Sequence, residues 1–139
     1  MKILIIDDDQ LHLSSLETSL TVRGYECKSF LNPLSAIKAY GSEVYDAVIT
    51  TVKILEISGE EVLESILKVN SEAKVILITG VDMSLDKAGI RRGIYAYFRK
   101  PIMMDELIAV LEKIEKTQYS INERDYQSGG RLTNKRREN

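Results

Sequence analysis

Residues 3–9 read Ile-Leu-Ile-Ile-Asp-Asp-Asp, a short apolar run that ends in three carboxylates. Such a run, bounded by charge, is typical of a strand buried on both faces, as in a parallel sheet. Similar runs recur along the chain, and we predict strands over residues 3–6, 25–30, 47–50, 75–79 and 96–98. The second of them alternates apolar and polar residues, which is typical of an edge strand.

Helical patterns lie between these runs. Leu13, Leu16 and Leu20 form one apolar stripe, and Gly24 follows it as a glycine stop. Capping signals predict helices that begin at Asn32-Pro33 and at Ser58 with Glu61. We also predict a helix between Asp82 and Arg92, although Gly89 inside it disfavours helix, and a last helix that carries the apolar stripe Leu107, Ile108, Leu111 and Ile114. Strands that alternate with helices imply crossover connections and a parallel sheet covered on both faces.

Composition supports one folded domain with a short tail. The 139 residues are 44% hydrophobic and 29% charged, and the single Cys27 excludes an internal disulfide framework. We predict an α/β domain over 1–118. Residues 119–139 are polar, and we predict a disordered tail or linker stub there, with a short added helix as the alternative.

Charge and hydropathy limit the partners and the compartment. The net charge is −2, with +2 on residues 117–139 and −4 on the rest, so a concentrated basic face for nucleic acid is not expected. The apolar runs are too short to span a membrane, and the N-terminus lacks the pattern of a signal peptide. We therefore expect a cytoplasmic protein without membrane contact.

Polar side chains follow four of the predicted strands. They are Asp7-Asp8-Asp9, Thr50-Thr51, Thr79-Gly80 and Lys100-Pro101. Sites in open parallel sheets form beyond the carboxyl ends of the strands. We therefore expect carboxylates, a hydroxyl and an ammonium group to meet at one edge of the sheet.

The segments ILIIDDD, YDAVITTVKILEISG, VILITG and YFRKP stand in an order and spacing that resemble the receiver domain of two-component response regulators. The resemblance covers residues 1 to about 116. It implies a three-layer α/β/α flavodoxin-like fold with a five-stranded parallel sheet in the order 2-1-3-4-5. It also implies a regulatory switch in phosphorelay signalling, not an enzyme, with a histidine kinase, a phosphotransfer protein or an effector protein as partner.

The resemblance assigns a cation site to the acidic end of the first strand. Asp7 and Asp8 would be the acidic pair, and the backbone carbonyl of Lys53 would be a further ligand. The ion is usually Mg²⁺, which prefers oxygen ligands.

The resemblance also assigns the groups that bind the phosphoryl oxygens and report the phosphorylated state. Thr79 supplies the hydroxyl, Lys100 the ammonium group, and Tyr97 the aromatic switch. Pro101 would follow a cis peptide bond.

One position departs from the family pattern. The phosphoacceptor aspartate at the end of the third strand is replaced by Thr51, and Ile54-Leu55 stand where the family has Met-Pro. A threonine hydroxyl is a poor nucleophile unless a base activates it. We therefore predict that the normal aspartyl route does not phosphorylate this chain, that Mg²⁺ binding is weak or absent, and that Lys100 turns toward Asp7 or Asp8.

Three hypotheses for the function remain open. The first is a degenerate receiver that binds protein partners, as a monomer or a weak homodimer, without aspartyl phosphorylation. The second is a conventional phosphorelay receiver whose acceptor has been changed by engineering. The third is a small nucleotide-binding protein or enzyme on the same sheet order, which the lack of a glycine-rich loop after the first strand disfavours.

His12 and the loop after the third strand lie outside these motifs, and each has two interpretations. We place His12 on the solvent face of the first helix, with a ligand role as the alternative. The loop residues Ile54, Leu55 and Ile57 either fold onto the sheet edge or form a partner surface.

Overall fold

Five parallel strands form one sheet in a computed structural model, which describes residues 1–51, 59–80 and 93–128, with side chains for all of these except 59–60 and 119–128. The strands are β1 (Lys2–Ile6), β2 (Glu26–Phe30), β3 (Ala47–Thr51), β4 (Val75–Thr79) and β5 (Ala96–Arg99). Their order is β2-β1-β3-β4-β5, which is the order implied by the resemblance, with β2 at one edge.

Helices follow the strands as the sequence predicts. The described part of the chain contains α1 (Gln10–Val22), α2 (Pro33–Ser42), α3 (Gly59–Val69) and α4 (Met104–Ser128). Contacts divide the chain into a unit that spans Met1–Met103 and a second unit that begins at Met104. The helix predicted within 82–92 and the predicted cap Ser58 lie outside the described residues.

The sheet of the first unit is covered by helices on both faces. On one face, α2 and α3 pack on a core that includes Leu4, Val48 and Leu77, which are shielded from solvent. Side chains alternate across a strand, so Ile3 and Ile5 point to the opposite face, where α1 contacts β1 and β2. Because β1, β3 and β4 are buried on both faces, most of their residues are consecutive apolar side chains.

Local signals fix where the helices begin and end. Asn32 caps α2, since its side chain accepts hydrogen bonds from the backbone N–H groups of Leu34 (2.8 Å) and Ser35 (3.1 Å). At the end of α1, Gly24 has a φ of 94°, a backbone conformation that glycine adopts without steric cost. Both predictions are confirmed.

The second unit contains one helix in its described part. Within α4, Leu107, Leu111 and Ile114 are buried, whereas Ile108 of the predicted stripe is half-buried. The helix continues to Ser128, past the boundary that we predicted at residue 118. Residues 129–139 of the predicted tail lie outside the described residues. Within the described part of the chain, we find no helix that combines the length and the apolar character needed to cross a bilayer.

A charged cluster ties together β1, β2 and the loop before β3. The carboxylate of Glu43 accepts hydrogen bonds from Lys28 Nζ (2.8 and 2.9 Å) and from the hydroxyl of Tyr45 (2.6 Å), and Lys2 Nζ lies 3.4 Å away. The hydrogen bonds from Lys28 and then from Tyr45 lower the pKa of Glu43 from 4.5 to about 2. The cluster therefore favours the ionised form of Glu43 in the folded protein.

We expect Glu43→Gln to lower the free energy of unfolding at neutral pH. A carboxyl group whose pKa is lower in the folded state stabilises the fold above its unfolded pKa, and this contribution is lost as the pH falls through the folded pKa. The difference from the unchanged protein should therefore shrink as the pH falls from 4.5 toward about 2. Urea unfolding at a series of pH values between 4.5 and about 2 measures this difference in the free energy of unfolding. Glu64→Gln, at an exposed position, is the control. A difference that does not vary with pH would contradict the prediction.

Candidate functional site

The strand register brings four strand ends to one edge of the sheet. Ile6 pairs with Thr50, so Asp7 follows β1 at the level of Thr51 on β3. Thr51 pairs with Ile78, and Thr79 follows at the end of β4. Neighbouring strands lie about 4.8 Å apart, so these polar groups stand in adjacent rows.

The three consecutive carboxylates have different environments. Asp7 is 2% exposed, and its backbone N–H donates to the carbonyl of Phe30 (3.1 Å), whereas Asp8 is half-buried. Asp9 is the N-cap of α1, because its Oδ1 accepts from the N–H groups of Leu11 (3.0 Å) and His12 (3.3 Å). The Asp9 carboxylate is thus used to start the helix, which leaves Asp7 and Asp8 for the edge site.

His12 covers the buried carboxylate of Asp7. Its Nδ1 contacts Asp7 Oδ2, and the His12 side chain is 25% exposed. Our placement of His12 on the solvent face of the helix is therefore wrong. Side chains in a helix point back toward the N-terminus, so a residue in the first turn of α1 reaches over the end of β1. That direction is the sequence signal that could have found this contact.

Thr51 is buried at the centre of the edge. It is 6% exposed, and its Oγ1 has no hydrogen-bond partner within the described ranges 1–51, 59–80 and 93–128. The neighbouring Thr50 hydroxyl donates to the Thr51 carbonyl (3.3 Å). The middle strand therefore ends in a neutral, buried hydroxyl group.

Thr79 and Lys100 lie beside each other at the ends of β4 and β5. The N–H of Lys100 donates to the carbonyl of Thr79 (2.7 Å), and Thr79 is 3% exposed. Lys100 Cδ would lie 3.7 Å from a Cβ built on Gly80, so the lysine stem passes along this end of the sheet. The Lys100–Pro101 peptide bond is cis, as the resemblance implied.

The remaining predicted site residues are placed only in part. Tyr97 of β5 is half-buried and packs against the core on the α2 and α3 face. Contrary to our expectation, Lys100 forms no ion pair with Asp7 or Asp8 among the described residues; Asp7 pairs with His12 instead. Lys53 and the loop residues 54–57 lie outside the described residues.

The model of the response regulator receiver domain family matches residues 3–112 of this chain. The chain belongs to the response regulator receiver family. One similar solved structure is the response regulator protein TrrA of Thermotoga maritima in complex with Mg²⁺ and BeF. The two sequences are 31% identical and the TM-score is 0.75, and the match covers 81% of this receiver and 97% of the TrrA chain. A receiver domain protein of Methanospirillum hungatei is 28% identical with a TM-score of 0.76, over 86% and 97% of the two chains.

Two relatives that are similar in sequence are longer than this chain. The transcriptional regulatory protein QseB of Haemophilus influenzae is 30% identical over 121 residues, which are 86% of this receiver and 54% of that protein. The response regulator MprA of Mycobacterium avium is 28% identical over 110 residues, or 78% and 48% of the two chains. This receiver thus spans about half the length of these relatives.

Among the described residues, the edge lacks the full set of carboxylates expected for the divalent cation that the family implies. Asp7 Oδ1 accepts from the N–H of Asp9 (3.0 Å), and its Oδ2 is taken by His12. The third strand offers the Thr51 hydroxyl in place of a carboxylate. Within the ranges that the structure describes, no group of three His, Cys, Asp or Glu side chains could hold a metal ion.

Proposed function

We propose that this receiver is a regulatory protein-binding switch of two-component signalling that works without aspartyl phosphorylation. The observation that carries the proposal is the buried Thr51 at the end of β3, whose Oγ1 has no hydrogen-bond partner among the described residues. A carboxylate is ionised at neutral pH and attacks phosphorus directly, whereas a hydroxyl must lose a proton to a base. The chain therefore keeps the receiver fold but lacks the acceptor group.

The surroundings of Thr51 argue against threonine as a substitute acceptor. A general base must lie within hydrogen-bond reach of the proton that it removes. In the part of the chain that the structure describes, Thr51 Oγ1 has no hydrogen-bond partner that could act as such a base. Asp7, the carboxylate that follows β1 at the level of Thr51, is already paired with His12.

The groups that remain at the edge support a switch that a partner controls. Thr79, Lys100 and Tyr97 stand at the positions that bind phosphoryl oxygens and report the state in the family. A partner that binds one of two conformations more tightly shifts the population toward it, with no covalent change. The partner is a histidine kinase, a phosphotransfer protein or an effector protein in the cytoplasm, and the receiver acts as a monomer or a weak homodimer without binding nucleic acid itself.

Weak Mg²⁺ binding is part of the same proposal. Asp7 and Asp8, with the carbonyl of Lys53, are the ligands that remain, and Thr51 contributes no charge. Mg²⁺ demands near-octahedral oxygen coordination and gives up its water reluctantly, so the loss of a carboxylate should weaken binding.

A phosphodonor challenge tests the proposed function. We expect the purified protein, incubated with acetyl phosphate and Mg²⁺, to keep its unmodified intact mass, because the acceptor carboxylate is missing. A mass increase of one phosphoryl group that hydroxylamine removes would reveal an acyl phosphate and contradict the proposal. A hydroxylamine-resistant phosphate mapped to Thr51 would contradict the claim that this hydroxyl is inert.

A further inference from the structure

We propose that His12 closes the acidic pair of this receiver and keeps a divalent cation away from Asp7. The imidazole Nδ1 contacts Oδ2 of Asp7, whose side chain is 2% exposed, while the His12 side chain is 25% exposed. The ring therefore lies on the solvent side of a carboxylate that the fold otherwise buries. This role goes beyond the loss of the acceptor at Thr51, because it acts on a different residue.

The hydrogen bonds of Asp7 show why a cation would be excluded. An ionised carboxylate is acceptor-only, and here Oδ1 accepts from the N–H of Asp9 (3.0 Å) while Oδ2 accepts from His12. A ring nitrogen that carries a proton has no lone pair in the ring plane, so it cannot coordinate a metal while it donates to the carboxylate. Each carboxylate oxygen keeps a second lone pair, but Asp7 is 2% exposed and the His12 ring lies against its Oδ2. A cation that approaches Oδ2 would therefore have to displace the ring.

The start of α1 holds the ring in this place. The N–H of His12 donates to Asp9 Oδ1 (3.3 Å), and the N–H of Leu13 donates to the Asp9 carbonyl (2.9 Å). Leu13 is buried, so the first turn of the helix is fixed to the sheet. Because Asp9 also donates its own N–H to Asp7, the N-cap of α1 contacts both the carboxylate and the helical turn that carries the ring.

Cation affinity measured in matched variants tests the inference. The inference rests on the proposed function, because both treat Asp7 and Asp8 as the remainder of a cation site. The probe is Mg²⁺ alone, followed by the amide shift of Asp8 in nuclear magnetic resonance spectra, in the unchanged protein, His12→Leu, Thr51→Asp and the double variant. Ser15→Ala, an exposed position on the same helix, is the control, and His12→Ala replaces His12→Leu if the latter does not fold.

Removal of the ring should tighten Mg²⁺ binding about tenfold in both backgrounds, which is the size of one hydrogen bond to a charged group. Equal affinity would overturn the inference, and so would weaker binding, since His12 would then be a ligand. The proposed function fails separately, if the unchanged protein binds Mg²⁺ as tightly as Thr51→Asp.

A second measurement needs no change at His12. Mg²⁺ added to Thr51→Asp should shift the ring nitrogen resonances of His12, because the ring has to leave Asp7. Ring resonances that stay constant while the Asp8 amide shifts would show that the cation and the ring do not compete, and would overturn the inference.

Discussion

Thr51→Asp should convert a protein that takes up no phosphoryl group from acetyl phosphate into one that forms an acyl phosphate. The substitution places an ionised carboxylate at the end of β3, between the end of β1, which Asp7 follows, and the end of β4, where Thr79 lies. The carboxylate supplies both a nucleophile and a cation ligand. The expected change is from no detectable modification to a substantial fraction of modified protein, measured by intact mass with and without Mg²⁺.

Two further variants make this result specific. Asparagine has about the size of aspartate but no charge, so the Thr51→Asn protein should stay unmodified like the unchanged protein. Asp8→Asn in the Thr51→Asp background should reduce the modification, because it removes a carboxylate from the cation site. A folded Thr51→Asp protein that stays unmodified at high Mg²⁺ would show that the rest of the edge has lost its function as well.

Much of the fold could be predicted because its signals are local. Apolar runs located all five strands to within one residue at each end, since a strand buried on both faces needs little besides continuous apolar side chains. Asn32 and Gly24 marked the start of α2 and the end of α1, because a cap depends on a few neighbouring backbone groups. The edge with Asp7, Thr51 and Thr79 followed from the parallel order of the strands.

Contacts between polar side chains do not follow from apolar runs and caps, and two of them were not predicted from the sequence. The Glu43 cluster joins Lys2, Lys28 and Tyr45, and nothing in the spacing of these residues indicates that they meet. The contact between His12 and Asp7 depends on the direction of a side chain at the start of a helix. The apolar periodicity of α1 predicts which of its residues pack on the sheet. It does not predict contacts of residues such as His12, which lies at the start of the helix and contacts a residue beyond the end of β1.

Thr51→Asp should also create one cation site whose bound ion affects amide resonances at several strand ends. Mn²⁺ can occupy sites built for Mg²⁺, and its unpaired electrons broaden the resonances of nearby amides. Around position 51, Thr79 ends β4, while Asp8 and Lys100 follow the ends of β1 and β5. An ion held at this edge should therefore broaden the amides of all three residues together.

Paired spectra of the unchanged protein and Thr51→Asp at one Mn²⁺ concentration test most directly that these strand ends form one site governed by position 51. We predict strong broadening at Asp8, Thr79 and Lys100 in the variant and little at any of them in the unchanged protein. Broadening confined to Asp8 in the variant, or equal broadening in both proteins, would contradict this account.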